Sequence, residues 1–151
     1  MLRVSKLTDY ATVIMGHLAA AADRLHSAAE VAQGTGIALP TTSKVLKALV
    51  RAGLLRSLRG QGGGYELARP ASEISVAQIV RSFEGAVGLT ECGSSEGLCE
   101  QESICSIRGN WQRINQVVLA ALESMTLAEM IRPAPMPIRA VPRRHSASTA
   151  A

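Results

Sequence analysis

Cys92, Cys99 and Cys105 are all the cysteines of this chain, and they fall in one fourteen-residue stretch, CGSSEGLCEQESIC. Scattered cysteines ordinarily fill cores. Three thiols in one Gly/Ser-rich loop can instead converge on a single metal centre, and thiolates are the ligands that iron–sulfur clusters and soft metals select. The stretch has no apolar periodicity, so it reads as a loop shaped for something other than packing. Glu91, Glu96, Glu100 and Glu102 make it acidic and would oppose the addition of negative charge to a bound metal group. Structural zinc is a chemical alternative, although the close CxxC pair common in such sites is absent.

Two further segments carry chemistry of another kind. LPTTSK offers Thr41, Thr42, Ser43 and Lys44, short hydroxyls and a cation suited to base edges and phosphates, with Lys47 and Arg51 behind them as backbone contacts. Further on, RGQGGG places Arg59 and Gln61 among glycines, with Arg56 just before. Glycines let a backbone approach a narrow groove, and an arginine inserted in the minor groove is a readout device. A phosphate-cradling loop is the competing reading. It lacks the following Lys-Ser/Thr pair and the helix that should open right after the glycines. A catalyst is disfavoured too, since no substrate-sized constellation of titrating residues accompanies the cysteines.

The elements that must position these residues are legible from periodicity and caps. Leu7, Tyr10, Ala11, Ile14, Met15 and Leu18 form one apolar stripe, predicting a helix from Ser5 to about Ala22. SAAE is a capping box that opens a short second helix at Ser27, stopped by Gly34 and Gly36. Pro40 sits where a missing N–H costs nothing, at the start of a third helix that runs to about Ala52 and buries Val45, Leu46, Leu49 and Val50. Gly53 suits its C-terminal stop. Strand-like runs Leu54–Leu58 and Tyr65–Ala68 then flank the glycines as a β-hairpin. SVAQ caps a helix from Ser75 to about Phe83, and the cysteine loop follows. A long helix beginning near Arg108 or Gly109 carries Trp111, Ile114, Val118, Ala121 and Met125 at a/d spacing, and TLAE makes a last capping box. Three helices and a hairpin predict a mainly α fold with a small β-hairpin wing, a winged helix-turn-helix followed by a long dimerisation helix.

Composition agrees. The chain has 151 residues, enough for one domain or a small domain with an arm, and is 47% apolar with only four aromatics. A core of Ala, Val, Leu and Ile suits helical packing. Residues 1–69 hold nine Lys/Arg against four Asp/Glu, residues 70–131 three against eight, and 132–151 four Arg with no acid. A basic first half suits a nucleic-acid partner. The opening MLRVSKLTDY lacks a secretory signal, and the most apolar run, Ala11 to Ala22, is too short to span a bilayer. Those features and the odd cysteine count predict a cytoplasmic protein with no membrane partner.

The string VLKALVRAGLLRSLRGQGGGYELAR, the three-cysteine loop and the closing helix together resemble the IscR/NsrR family of bacterial winged-helix regulators (the Rrf-two family). The opening MLRVSKLTDYATV resembles most the members that regulate the SUF iron–sulfur assembly system. The resemblance covers residues 1 to about 131. It implies a non-enzymatic homodimer that binds double-stranded operator DNA, a repressor or activator, with repression the favoured reading, whose affinity depends on a [2Fe–2S] or [4Fe–4S] cluster. A nitric-oxide-sensing repressor, or a regulator with structural zinc, is the alternative. By position Cys92, Cys99 and Cys105 would be cluster ligands, Arg59 would enter the minor groove, and the Thr41 to Lys44 turn would read the major groove.

The fourth ligand departs from part of the family. IscR-like members place a histidine three residues after the last cysteine, where this chain has Arg108. NsrR-like members use an aspartate in the first helix of the partner subunit, which matches Asp9 here. The expected organisation is 1–83, a winged helix-turn-helix DNA-binding domain; 84–108, a cysteine cluster-binding loop; 109–131, a dimerisation helix region; and 132–151, a disordered basic tail rich in Pro, Arg, Ser and Ala.

Overall fold

The structure is a computed structural model that describes residues 3–94, 99–101 and 103–133, without the side chains of Cys92 and Ser94. The segment 134–151, which includes most of the expected basic tail, lies outside the described residues.

α1 (Lys6–Ala20) begins at Ser5, whose hydroxyl accepts a hydrogen bond from Thr8 N–H. Its stripe of Ala11, Ile14, Met15 and Leu18 is wholly buried. α2 (Ala28–Thr35) opens with the expected reciprocal bonds between Ser27 and Glu30, and ends at Gly36 in the left-handed region, φ 70°. Such a box secures two backbone N–H groups that would otherwise lack partners and is worth about 1 kcal/mol. α3 (Leu39–Arg51) has Pro40 in its first turn and turns Thr42, Val45, Leu46 and Leu49 inward. It crosses α1 and α2 to form the helical layer.

Gly53, with φ 71°, lets the chain leave α3. β1 (Leu55–Leu58) then pairs antiparallel with β2 (Gly64–Leu67), in a register that puts Leu55 opposite Leu67 and Leu58 opposite Gly64. The strands differ by one residue from their expected positions at three ends: β1 begins at Leu55 rather than Leu54, and β2 runs Gly64–Leu67 rather than Tyr65–Ala68, because pairing begins at Gly64 itself. A backbone bridge anchors this wing: His26 N–H donates to Tyr65 O at 3.0 Å and Tyr65 N–H donates to His26 O at 2.8 Å. At Gly64 a β-carbon would stand 2.6 Å from the His26 carbonyl oxygen, so the close approach requires glycine.

α4 (Val76–Glu84) carries the second capping box, Ser75 with Gln78, and buries Val76, Ala77, Ile79 and Val80. A four-residue turn of helix, α5 (Glu91–Ser94), stands where an irregular loop was expected. α6 (Arg108–Ser124) packs on α4, with Arg81 and Glu123 paired at 2.6 Å. α7 (Leu127–Met130) is capped by Thr126 and Glu129. Its Leu127 is fully buried in the same core as Ile14, Leu46 and Ile74. Among the described residues no helix is long and apolar enough to cross a membrane.

Candidate nucleic-acid interface and cysteine loop

The two faces of α3 have separate tasks. Val45, Leu46 and Leu49 lie in the core, while Lys44, Lys47 and Arg51, spaced three and four apart, line the exposed side. Thr41 and Ser43 are half-buried at the first turn. No side chain caps that turn; Pro40 has no N–H to satisfy, and the Thr42 N–H donates to Ala38 O at 2.9 Å.

Thr42 corrects the expected set. It is 0% exposed, and its hydroxyl donates to Ile37 O at 3.1 Å, inside the core. A base edge cannot reach it. Four consecutive helical positions span more than a full turn, so they cannot all face one groove, and here the second of them is the one turned inward.

The wing tip is open. Arg59 and Gln61 are exposed, Gly60 and Gly62 hold φ 107° and 83°, and Gly63 N–H closes the turn on Gly60 O at 3.0 Å. Those positive φ angles explain the glycines, since other residues adopt that region only under strain. Arg56 is different: its guanidinium pairs with Glu66 across the hairpin at 3.0 Å, which partly occupies it. Between α3 and the wing lies a groove lined by Lys47, Val50, Arg51, Ser57 and Tyr65. Two cations on its α3 wall, Lys47 and Arg51, beside the exposed Arg59 and glycines of the tip, make this face suited to a phosphate backbone.

The cysteine loop is tied down at its beginning. The Glu84 carboxylate, at the end of α4, accepts hydrogen bonds from Ser5 N–H at 2.9 Å and from the Thr8 hydroxyl. Those bonds, from Thr8 first and Ser5 second, hold its pKa below the ordinary carboxylate range. Asp9 follows Thr8 in the first turn of α1 and is exposed.

Cys99 and Cys105 are free and half-buried, and Cys92 lies in α5 with its side chain outside the described residues. Among the described residues no three His, Cys, Asp or Glu side chains form a ready-made metal cage. The donor chemistry nevertheless fits a thiolate-bound iron–sulfur group. Free thiols are the donors such a group takes, and Asp9 on α1 offers an exposed carboxylate as a further donor.

One residue of this region was not foreseen. Asn115 is the only buried residue on α6. Its Oδ1 accepts from Leu89 N–H at 3.1 Å, and its Nδ2 donates to Gly93 O at 3.0 Å and Val87 O at 3.4 Å. The a/d pattern gave no hint of it, because its partners are backbone groups more than twenty residues earlier.

Comparison with known proteins agrees with this geometry. A family model described as "Rrf2: Iron-dependent Transcriptional regulator" matches residues 4–133. The HTH-type transcriptional regulator IscR of Cereibacter sphaeroides is 34% identical over 146 residues, covering 93% of this chain and 94% of that protein. Among solved structures, T. potens IscR superposes with a TM-score of 0.67 at 28% identity, over 86% of each chain. CymR (YrzC), the global cysteine regulator of B. subtilis, superposes with a TM-score of 0.69 at 28% identity, over 87% of this chain and 97% of that one.

Proposed function

This chain belongs to the Rrf2 family of winged-helix transcriptional regulators, which are not enzymes, and from that premise we propose that it is an iron–sulfur cluster-sensing repressor of SUF-type iron–sulfur assembly genes. The observation that carries the reading is the pair of free, half-buried thiols, Cys99 and Cys105, in a loop tied at one end to α1 and α6 of a DNA-binding fold.

Thr41, Ser43 and Lys44 read the major groove, Lys47 and Arg51 hold phosphates, and Arg59 with Gln61 enters the minor groove. Arg56 acts mainly within the hairpin. Cys92, Cys99 and Cys105 hold the cluster, with Asp9 of the partner subunit as fourth donor. When bound, the cluster supplies a redox-labile, oxidant-sensitive centre. A carboxylate corner is the weakest of the four because iron–sulfur groups prefer thiolate.

The dimer needed to supply that donor forms along α6, where Trp111, Ile114, Met125 and, at 65% exposure, Val117 present apolar surface to solvent. Such a stripe on a helix packed on only one side matches what a second copy would cover. Two half-sites on the operator then meet two recognition helices.

The test is an operator-binding titration of anaerobic holo and apo protein, with Mössbauer typing of the same samples. The expected result is an iron–sulfur spectrum and a clear difference in affinity between the two forms. Zinc in place of iron, or equal affinity of the two forms, sinks the reading.

A further inference from the structure

The stretch that carries the cysteines is polar and without apolar periodicity. Loops of this kind pay a large entropic cost when they order around a ligand. The cost falls if part of the segment is already fixed. In this molecule the first part is fixed by Asn115.

We propose that Asn115 is the positioning residue of the cysteine loop: its amide clamps the backbone from Val87 to Gly93 onto α6, setting Cys92 in register for the ligand held by the loop. The amide uses one acceptor and both donors on three backbone groups, Leu89 N–H, Gly93 O and Val87 O. All three lie within seven residues that end immediately after Cys92. The side chain is 4% exposed, so water does not compete for these bonds, and leaving any of the groups without a partner is costly.

A second observation points the same way. A β-carbon on Gly93 would stand 3.3 Å from Thr90 Oγ1 and 3.4 Å from Asn115 Cγ. The amide therefore sits against the bare backbone of Gly93, which also closes a turn on Thr90 O at 2.9 Å. Asparagine fits this task better than any similar residue. Aspartate keeps the acceptor for Leu89 but turns lone pairs toward two carbonyls, and leucine satisfies none of the three. The clamp also places the segment on the helix that carries the exposed apolar stripe, so the Cys92 end of the loop moves with α6.

The ligand-holding part of this role rests on the proposed cluster. The test compares wild type with Asn115→Asp, with Gly93→Ala as the milder variant and Gln116→Ala, on the exposed side of α6, as control. Hydrogen exchange on the apo proteins reads the clamp alone. Exchange across residues 86–94 should rise roughly five- to thirty-fold in Asn115→Asp, the loss of one to two hydrogen bonds' worth of protection, with α1 to α3 unchanged. Gly93→Ala should shift the same peptides less, and Gln116→Ala not at all.

Anaerobic holo proteins challenged with an iron chelator then read positioning. The thiolate–iron absorbance should decay several-fold faster in Asn115→Asp than in wild type. If Asn115→Asp unfolds, Gly93→Ala carries both measurements. Equal exchange, or equal decay beside a wild type that does hold the chromophore, overturns the clamp. A wild type that takes up no chromophore overturns the cluster reading, and the ligand-positioning role with it.

Discussion

The hydroxyl of Thr8, in the first turn of α1, donates to the carboxylate of Glu84, the last residue of α4. The bond joins the helix that bears Asp9 to the residue from which the cysteine loop departs. A rearrangement at the loop's base would act on the start of α1 through this bond.

Glu84 makes that joint dependent on pH. Its folded pKa is depressed by the bonds from Thr8 and Ser5. The joint's contribution is thus complete above the ordinary carboxylate pKa and is lost as pH falls from there through the lower folded value. Glu84→Gln should lower the thermal midpoint at pH 7, and the gap from wild type should narrow steadily in acid. Melting curves across that range check it; a constant gap at every pH contradicts it.

Asp9 is exposed, so its removal should leave the fold and apo DNA binding intact. Asp9→Ala is expected to speed cluster loss and blunt the response of operator binding to it. Anaerobic gel-shift titrations before and after chelation make the comparison. Unchanged cluster lifetime and unchanged response would remove Asp9 from the ligand set.

The two wing arginines should behave differently. Arg59 is exposed at the glycine tip, whereas Arg56 is paired with Glu66. Arg59→Ala should weaken operator binding and lower the salt slope by about 1. Arg56→Ala should change both less. Fluorescence anisotropy at several salt concentrations separates them.

Thr42 and Lys44, two positions apart on α3, should divide stability from binding. Thr42→Val removes a buried bond to Ile37 O and should cost about 1 kcal/mol of stability with the salt slope of DNA binding unchanged. Lys44→Ala should reverse the pattern. Denaturant melts and operator titrations on the same two proteins suffice.

What sequence alone conveyed, and what it did not, divides along a physical line. The three capping boxes, the stops at Gly36 and Gly53 and the helix start at Pro40 are local, determined within a few residues, and stand as expected, whereas Gly34, expected to help stop α2, lies inside it. Thr42 was misplaced because a hydroxyl in a run of polar residues looks like surface until its carbonyl partner is known. Asn115 and the bridge from His26 to Tyr65 rest on backbone groups far away in sequence, and side-chain pattern carries no trace of those. The short helix α5 escaped notice for a related reason. Its residues, ECGS, have weak helix propensity, and the carbonyl of Gly93 finds its partner on α6.

The bridge between Ser75 and Thr126 has a consequence for how the molecule is made. Val76 N–H donates to Met125 O, Leu127 N–H donates to Ile74 O, and the Leu127 side chain fills the core beside α1 and α3. A nascent chain cut off after α4 has therefore not finished its DNA-binding half. The last plug of that core leaves the ribosome after the cysteines do. Every copy whose core is complete has, by then, already been given its three cysteines.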